Sequence, residues 1–234
     1  MLIHRANTRG FKDLGWLKSH HTFSFAEYYD PARMHFGKLR VLNDDVIEGG
    51  SGFGLHPHNN MEIISIPLKG ALQPRESGGS YDIIHENKVQ VMSAGKGISH
   101  SEHNALPDGD TNFLQIWIYP KSMNIEPRYA SLAFDPSLRA NRFQLLVSPD
   151  GERNSLVIHQ KAWLSRITFD DGKAAEYELY QSASGVYLFV IAGEIKINGE
   201  VLNPRDGAGI SDQTTIQIQA QKNADLLLIE VPVR

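Results

Sequence analysis

Two short clusters of histidine and carboxylate residues are candidates for metal chemistry. The first is His56-Pro-His58, and the second is His100-Ser-Glu102, which follows the turn-forming stretch from Gly95. Side chains two residues apart in a β-strand point to the same face, so each cluster would present a pair of side chains. Two such strands would bring three imidazoles and one carboxylate to one centre, a set of donors that suits a borderline divalent metal.

Two neighbouring residues could also take part in this chemistry. Glu62 continues the parity of His56 and His58, so its carboxylate is expected on the same face of a barrel interior. His103 would point the other way from His100, which predicts a structural role or a contact to the ligands. The other histidines are interpreted as surface or hydrogen-bonded residues: His4, His20, His21, His35, His85 and His159.

The composition narrows the kind of chemistry. The chain has 234 residues with 10 histidines and no cysteine, which excludes disulfides, thiolate zinc sites and a cysteine nucleophile. Lys plus Arg number 23 against 27 Asp plus Glu, so the net charge of −4 lacks the basic footprint of a general nucleic-acid or anionic-membrane binder. We find no signal-peptide pattern and no apolar stretch near the ~18 residues of a membrane span, and therefore expect a cytoplasmic protein without membrane contact.

Short apolar runs predict that β-strands position these clusters. Examples are Ile63–Leu68, Phe113–Tyr119, Val186–Ala192 and Leu226–Val231. Runs of this length, separated by Gly, Asn, Asp and Pro, are typical of an all-β sandwich or barrel. The proline-containing segment 120–141 has no clear period and is interpreted as a linker between two β lobes.

The two lobes carry a repeated pattern. A strand ending at Gly70 is followed by Gly95-Lys-Gly-Ile-Ser, and a strand ending at Gly193 is followed by Gly207-Ala-Gly-Ile-Ser. This repetition predicts a duplicated barrel. Aligned on the motif, the second lobe has no histidine at the four ligand positions, which are filled by Leu179, Gln181, Asp212 and Thr214. We therefore expect the second barrel to bind no metal in this way.

Both clusters resemble the two sequence motifs of cupin proteins. The first reads Gly50, five residues, His56-x-His58, three residues, Glu62, seven residues and Gly70. The second reads Gly97, two residues, His100, three residues and Asn104. The seven-residue gap is one longer than usual, and Gly95 stands where the second motif usually has proline, but the ligand positions are kept.

Longer segments resemble the pirin family more closely. The similarity is strong from near the N-terminus to about Tyr129 and continues weakly to the C-terminus. The matching segments are His21–Pro31, Arg40–Asp45, His56–His58, Met61-Glu62, His100–Glu102, Gln115–Trp117 and Pro127–Tyr129. On these residues the chain is identified as similar to bacterial pirin-like proteins.

The resemblance implies an all-β bicupin fold, in which two cupin β-barrels lie face to face with few short helices. A metal-binding N-terminal barrel is expected over residues 1–125 and a C-terminal barrel without metal ligands over residues 126–234. The implied ligands are His56, His58, His100 and Glu102, with Glu102 also a candidate base. An ordinary cupin would use Glu62 in place of Glu102, and strand parity alone allows either carboxylate. The pirin pattern implies Glu102, so Glu62 and His103 are expected to contact the ligands and not the metal.

The resemblance also implies an activity. Bacterial pirins similar to this chain act as quercetin 2,3-dioxygenases, oxidoreductases that cleave a flavonol ring with dioxygen and release carbon monoxide. The implied cofactor is one divalent metal, iron(II) first, with nickel, manganese, cobalt, copper or zinc as alternatives. We expect a monomer whose partners are a flavonol-like substrate and O2. The alternative is a non-enzymatic, iron-dependent and redox-sensing regulator that binds a protein partner, as the resemblance to eukaryotic pirins implies. The third hypothesis is a closed zinc site with a structural role only.

Overall fold

The computed structural model describes residues 1–76, 79–80 and 82–233, and this part of the chain forms β-strands with three short 3-10 helices. The first thirteen strands are β1 (Leu2–His4), β2 (Gly10–Asp13), β3 (Leu17–His21), β4 (Leu39–Ile47), β5 (Gly52–His58), β6 (Glu62–Lys69), β7 (Ala71–Glu76), β8 (Gly79–Ser80), β9 (Ile84–His85), β10 (Lys88–Ser93), β11 (Ile98–Asn104), β12 (Thr111–Ile118) and β13 (Arg128–Ala133). The next eight are β14 (Gln144–Ser148), β15 (Leu156–Val157), β16 (Trp163–Phe169), β17 (Ala174–Glu178), β18 (Ser184–Ile197), β19 (Glu200–Leu202), β20 (Gly207–Ile210) and β21 (Thr215–Pro232). The 3-10 helices span Ala6–Thr8, Pro136–Arg139 and Glu152–Asn154.

The strands form three sheets that build two barrels. One sheet has the order β13-β10-β6-β12-β4-β3-β2, and a second has the order β5-β11-β7-β8 with β9 also paired to β7. These two sheets enclose the N-terminal barrel. The third sheet, β1-β20-β18-β21-β16-β14-β15 with β17 on β21 and β19 on β18, forms the C-terminal barrel. The predicted all-β architecture of two barrels is confirmed. None of the helices described is long and apolar enough to cross a membrane.

Strand β18 shows how the two barrels are held together. Its alternate residues Val186, Leu188 and Val190 pack inside the C-terminal barrel. The intervening residues Tyr187 and Phe189 belong to the core cluster shared with the N-terminal barrel. Because both faces of the strand are buried, an unbroken apolar run replaces the alternation of a half-exposed strand. Each fully buried side chain of this kind contributes about 1.5–3 kcal/mol.

Strand β12 of the N-terminal barrel shares only one apolar face with this interface. Leu114 and Ile116 pack in the cluster between the barrels. Phe113, Gln115 and Trp117 point the opposite way, into the interior of their own barrel. The N-terminal interior therefore contains the polar side chain of Gln115 on its central strand, whereas the interior residues Val186, Leu188 and Val190 of β18 are apolar.

The sheets do not follow the predicted division at residues 125 and 126. Strand β1 pairs with β20 in the C-terminal barrel, with His4 opposite Gly207, and His4 Nδ1 lies 2.9 Å from the Tyr187 hydroxyl. Strand β13, inside the segment interpreted as a linker, pairs with β10 of the N-terminal barrel. Each barrel thus includes a strand from the other's part of the chain, because both open sheets complete their edges with the nearest extended segment.

The repeated motif occupies different positions in the two barrels. Gly97 lies in the turn before β11, whereas Gly207 and Gly209 lie inside strand β20. A Cβ atom at Gly207 would overlap the Tyr187 ring, and one at Gly209 would meet the Phe36 ring, so close packing accounts for these two glycines.

The glycines that end the preceding strands do correspond. Gly70 and Gly193 have φ values of 78° and 79°. Two residues later, Leu72 lies opposite Asn104 in one barrel and Ile195 opposite Ala220 in the other. In these registers the second-barrel counterparts of His100 and Glu102 are Ile216 and Ile218. They lie four residues beyond Asp212 and Thr214, which the motif predicted.

The corrected counterparts are apolar. Ile218 takes the place of Glu102, and Ile216 takes the place of His100. Ile216 lies opposite Tyr177, as His100 lies opposite His56. All three side chains belong to the hydrophobic core of the C-terminal barrel, so packing occupies the space where the N-terminal barrel carries its polar cluster.

Gly193 provides a test of this packing. Ala at a positive φ costs roughly 1–2 kcal/mol, and this is the loss in unfolding free energy expected for Gly172→Ala, whose Cβ would meet nothing within 4 Å. Gly193→Ala should lose about 1–3 kcal/mol more, because its Cβ would overlap Asn223 and Ala224 of the neighbouring chain segment. Urea denaturation of both variants measures the difference, and equal losses would contradict the steric account.

Candidate metal centre

The two histidine clusters lie on neighbouring strands. Strands β5 and β11 are antiparallel, with His56 directly opposite His100 and His58 opposite Ile98. A register shift separates His100 from Glu102, which lies opposite Phe53. The strand pairing expected from the sequence is therefore present, with a bulge between the histidine and the carboxylate.

The three imidazoles converge on one point. The ring centroids are 4.8 Å apart for His56 and His58, 4.6 Å for His56 and His100, and 5.0 Å for His58 and His100. One ring nitrogen from each residue lies within 4.8 Å of the other two. His100 is buried, whereas His56 and His58 are half-buried at the edge of a cavity.

Local contacts fix two of the rings in a form that can bind metal. His56 Nδ1 lies 2.7 Å from the Gly54 carbonyl oxygen. A carbonyl only accepts hydrogen bonds, so Nδ1 carries the proton and Nε2 keeps its lone pair. Burial, with the neighbouring His100 and His56, lowers the pKa of His58 to about 4. His58 is therefore neutral near pH 7, as metal binding requires, and its ring meets Trp117 edge-on at 5.0 Å.

Glu102 lies beside the imidazoles and is held by polar partners. Gln115 Nε2 donates to Glu102 Oε2 at 2.7 Å, and the Ser65 hydroxyl lies 3.1 Å from Oε1. The side chain is 1% exposed and lines the same cavity as His56 and His58. Burial raises the pKa of Glu102, while the Ser65 contact and the His56 ring act in the opposite direction. This carboxylate is not one of the three groups whose donor atoms lie within 4.8 Å of one another.

Glu62 lies on the other face of its strand. Ser65, three residues along β6, points into the barrel toward Glu102, so strand alternation directs Glu62 outward. Its Oε2 accepts a hydrogen bond from Ser93 at 2.7 Å, and burial raises its pKa against the effect of Ser93 and the His159 backbone. The predicted common parity with His56 fails because the chain turns at Asn60, whose φ is 48°, between strands of different sheets.

His103 is also directed away from the cluster. It follows Glu102 on β11 and lies opposite Gly52, where a Cβ atom would overlap the His103 backbone. Since neighbouring residues of a strand point to opposite faces, its ring packs on the outer side of the sheet. The structure therefore brings His56, His58 and His100 together with Glu102 beside them, and leaves Glu62 and His103 elsewhere.

A cavity of about 590 Å³ opens beside the imidazoles. Its walls are largely apolar and aromatic, from Phe11, Leu14, Leu17, Phe25, Tyr28, Phe53 and Trp117. Phe25 meets Trp117 at 5.4 Å and His21 at 5.2 Å between ring centroids. The size lies within the range of small-molecule sites, which combine apolar walls with a few polar groups.

The polar wall of this cavity was not predicted from the sequence. Alternate residues of β3 and β4 contribute it, together with Gln115 of β12: Ser19, His21, Asn43 and Asp45. Burial raises the pKa of Asp45 to about 7 against the hydrogen bond from Ser19, and burial lowers the pKa of His21 to about 4. The alternation of buried polar residues along these two strands was the available signal.

The residues present fit a divalent metal. Three imidazoles whose ring nitrogens lie within 4.8 Å of one another are nitrogen donors of the kind that iron, nickel, copper and zinc bind. The hydrogen bond from His56 to Gly54 is the outer contact that orients a ligating ring. A centre held by three imidazoles beside an open cavity keeps positions for a substrate oxygen.

Comparisons with known proteins agree on one family. The family model described as Pirin matches residues 4–118, and the model described as Quercetinase C-terminal cupin domain matches residues 145–231. Quercetin 2,3-dioxygenase of Escherichia coli (strain K12) is 40% identical over 230 residues, covering 98% of each chain. A pirin-like protein of Caulobacter vibrioides is 42% identical over 222 residues, covering 94% of this chain and 95% of the relative.

Solved structures give the same result. The crystal structure of the bacterial pirin YhhW in complex with nickel(II) from Escherichia coli has a TM-score of 0.94 and 39% identity, covering 100% of this chain and 99% of that chain. The protein YhaK from Escherichia coli has a TM-score of 0.77 at 30% identity, covering 96% of this chain and 98% of that chain.

The geometry predicts which histidine of β11 binds metal. We expect the purified protein to bind one Ni²⁺ per chain, and His100→Ala to weaken binding more than the roughly 10–100-fold seen for changes around a metal site. His103→Ala, on the same strand and the opposite face, should bind Ni²⁺ as the wild type does. Calorimetric titration and elemental analysis measure both, and equal affinities of the two variants would exclude His100 as a ligand.

Proposed function

This chain belongs to the pirin family, and from that membership we propose that it is a metal-dependent dioxygenase that cleaves a flavonol such as quercetin. One observation carries the proposal: three convergent imidazoles and a buried carboxylate line or adjoin a 590 Å³ cavity with aromatic walls. A purely structural metal site would not need a cavity beside it. A protein-binding surface would not need a deep concave pocket.

His56, His58 and His100 are the proposed metal ligands, with Glu102 as the carboxylate that completes the site. A bound divalent metal would supply Lewis-acid stabilisation of a phenolate oxygen and the redox chemistry of dioxygen. Iron(II) is the proposed ion; the nickel(II) complex of YhhW supports a divalent metal in a protein of 39% identity.

Glu102 is the proposed base for the flavonol hydroxyl. Its carboxylate lies on the cavity wall, and Gln115 fixes one oxygen at 2.7 Å. A carboxylate positioned on the cavity wall can accept the proton of a substrate hydroxyl bound beside it. Ser65, 3.1 Å from the second oxygen, can rotate its hydroxyl to Gln115, 2.8 Å away, and so accommodate either protonation state.

The aromatic walls orient the substrate and exclude water. Phe53 meets Trp16 edge-on at 5.3 Å and lies 6.3 Å from the His56 ring, which fixes the wall beside the ligands. Trp117 and Phe25 form a second aromatic contact in the cavity lining at 5.4 Å. A flat polyphenol between such rings gains burial of both of its faces, and a dry cavity strengthens the interactions of the reacting oxygen.

The activity has a direct test. After anaerobic loading with iron(II), and separately with nickel(II) or manganese(II), the protein should consume one dioxygen per quercetin and release carbon monoxide. Glu102→Gln should lower kcat by about 10²–10⁴-fold, because general-base catalysis is worth that much. An oxygen electrode measures uptake, and elemental analysis of each variant shows whether metal is kept.

Glu62→Gln is the matched control for this experiment. Both carboxyls are buried, but Glu62 bonds Ser93 and points away from the cavity, so its variant should keep a rate close to that of the wild type. A larger loss in Glu62→Gln than in Glu102→Gln would assign the carboxylate to the ordinary cupin position. Metal binding without oxygen uptake in any loaded form would contradict the enzymatic proposal and favour the regulatory alternative.

A further inference from the structure

One wall of the cavity has no role in the proposed metal site. It is formed by side chains that alternate along β3 and β4 and point into the barrel: Ser19, His21, Asn43 and Asp45. Asp44, between two of them, points instead toward the other barrel, where Arg9 and Arg205 bind its carboxylate at 3.3 Å each. Alternation along β4 therefore places Asn43 and Asp45 on the cavity side of the strand and Asp44 on its other side.

This wall begins beside Glu102 and extends away from the three imidazoles. Gln115, which bonds Glu102, lies opposite Asn43, two residues before Asp45. Trp117, which contacts His58, lies opposite Val41, whereas Asp45 lies opposite Phe113. Four residues of extended strand separate the two levels, which is about 13 Å. A molecule whose oxygens reached the imidazoles would therefore need several fused or linked rings to meet Asp45.

Two polar atoms of this wall lack a hydrogen-bond partner in the part of the chain that the structure describes. Within the described residues, Asn43 Oδ1 and His21 Nδ1 are buried and have no hydrogen-bond partner. Asp45 is 4% exposed, and one of its carboxyl oxygens accepts the hydroxyl of Ser19. Buried polar atoms in native proteins are nearly always paired. Asp45 lines the cavity, and the carboxyl oxygen that Ser19 does not contact is left to accept a hydrogen bond from a molecule bound there.

We propose that Asp45 determines substrate specificity, by accepting a hydrogen bond from a hydroxyl on an outer ring of a polyhydroxylated planar substrate. The inference rests on the proposed function, since it names a second recognition point in the same cavity. Asn43 and His21 offer further polar contacts beside it. A site built to bind a hydroxyl discriminates against the analogue that lacks it, because the buried group is then left unpaired.

Two flavonols separate this effect from metal binding. Quercetin carries hydroxyls on both outer ring systems, whereas 3-hydroxyflavone keeps only the central hydroxyl and carbonyl. The nickel(II)-loaded protein, without oxygen, is titrated with each while the flavonol absorption is recorded. Quercetin should bind roughly 10–100-fold more tightly, the range expected when the analogue leaves a buried hydrogen-bonding group unpaired.

Variants of the wall then locate the preference. Asp45→Leu should reduce the preference for quercetin at least tenfold while leaving the affinity for 3-hydroxyflavone near that of the wild type. Asp45→Asn keeps the shape and should give an intermediate preference. Asp44→Asn, the adjacent carboxyl that points away from the cavity, should discriminate as the wild type does. Circular dichroism checks that each variant is folded.

The outcomes are distinct. Equal binding of the two flavonols by the wild type would overturn the role of Asp45, even if no variant folded. A preference that survives in Asp45→Leu would overturn it as well, and in both cases continued turnover of quercetin leaves the proposed function standing. Failure to bind or oxidise either flavonol would overturn the proposed function and the inference together.

Discussion

The packing of the two barrels against each other is the constraint on which the rest of the structure depends. Strands β12, β18 and β21 lie in the centre of their sheets, and alternate residues of each are buried in the shared core. Once one face of a strand is assigned to that core, the opposite face has to form the interior of its own barrel. A shift of one residue would exchange the two faces, so the interface fixes the register of both interiors.

The two interiors then diverge within one architecture. At equivalent registers the N-terminal barrel has His56, His100 and Glu102, and the C-terminal barrel has Tyr177, Ile216 and Ile218. Buried carboxylates and imidazoles require partners, which Gln115, Ser65 and the Gly54 carbonyl supply. Apolar side chains need only close packing. Polar groups of the N-terminal interior thus line a cavity, whereas packed side chains fill the equivalent positions of the C-terminal barrel.

The cavity joins two chemically different regions. At one end the imidazoles form a nitrogen-rich site in which burial lowers the pKa of His58 to about 4. Farther along, burial raises the pKa of Asp45 to about 7. Aromatic rings connect these ends, from His58 through Trp117 and Phe25 to His21. This arrangement suits a planar molecule with oxygen atoms at both ends.

The sequence by itself determined the strand content, the two-barrel organisation and the histidine and carboxylate clusters, because strand alternation and the spacing of His56, His58, His100 and Glu102 are local properties. The sequence could not choose between Glu62 and Glu102, because side-chain alternation continues across a turn only if both strands belong to one sheet. The tertiary structure places Glu102 on the cavity wall beside the imidazoles and Glu62 in a hydrogen bond with Ser93 on the other face of its strand. It also decided the exchange of edge strands β1 and β13, the true counterparts in the second barrel, and the cavity wall containing Asp45. Each of these depends on which distant strands pair and which face the other barrel covers, and no stretch of sequence contains that information alone.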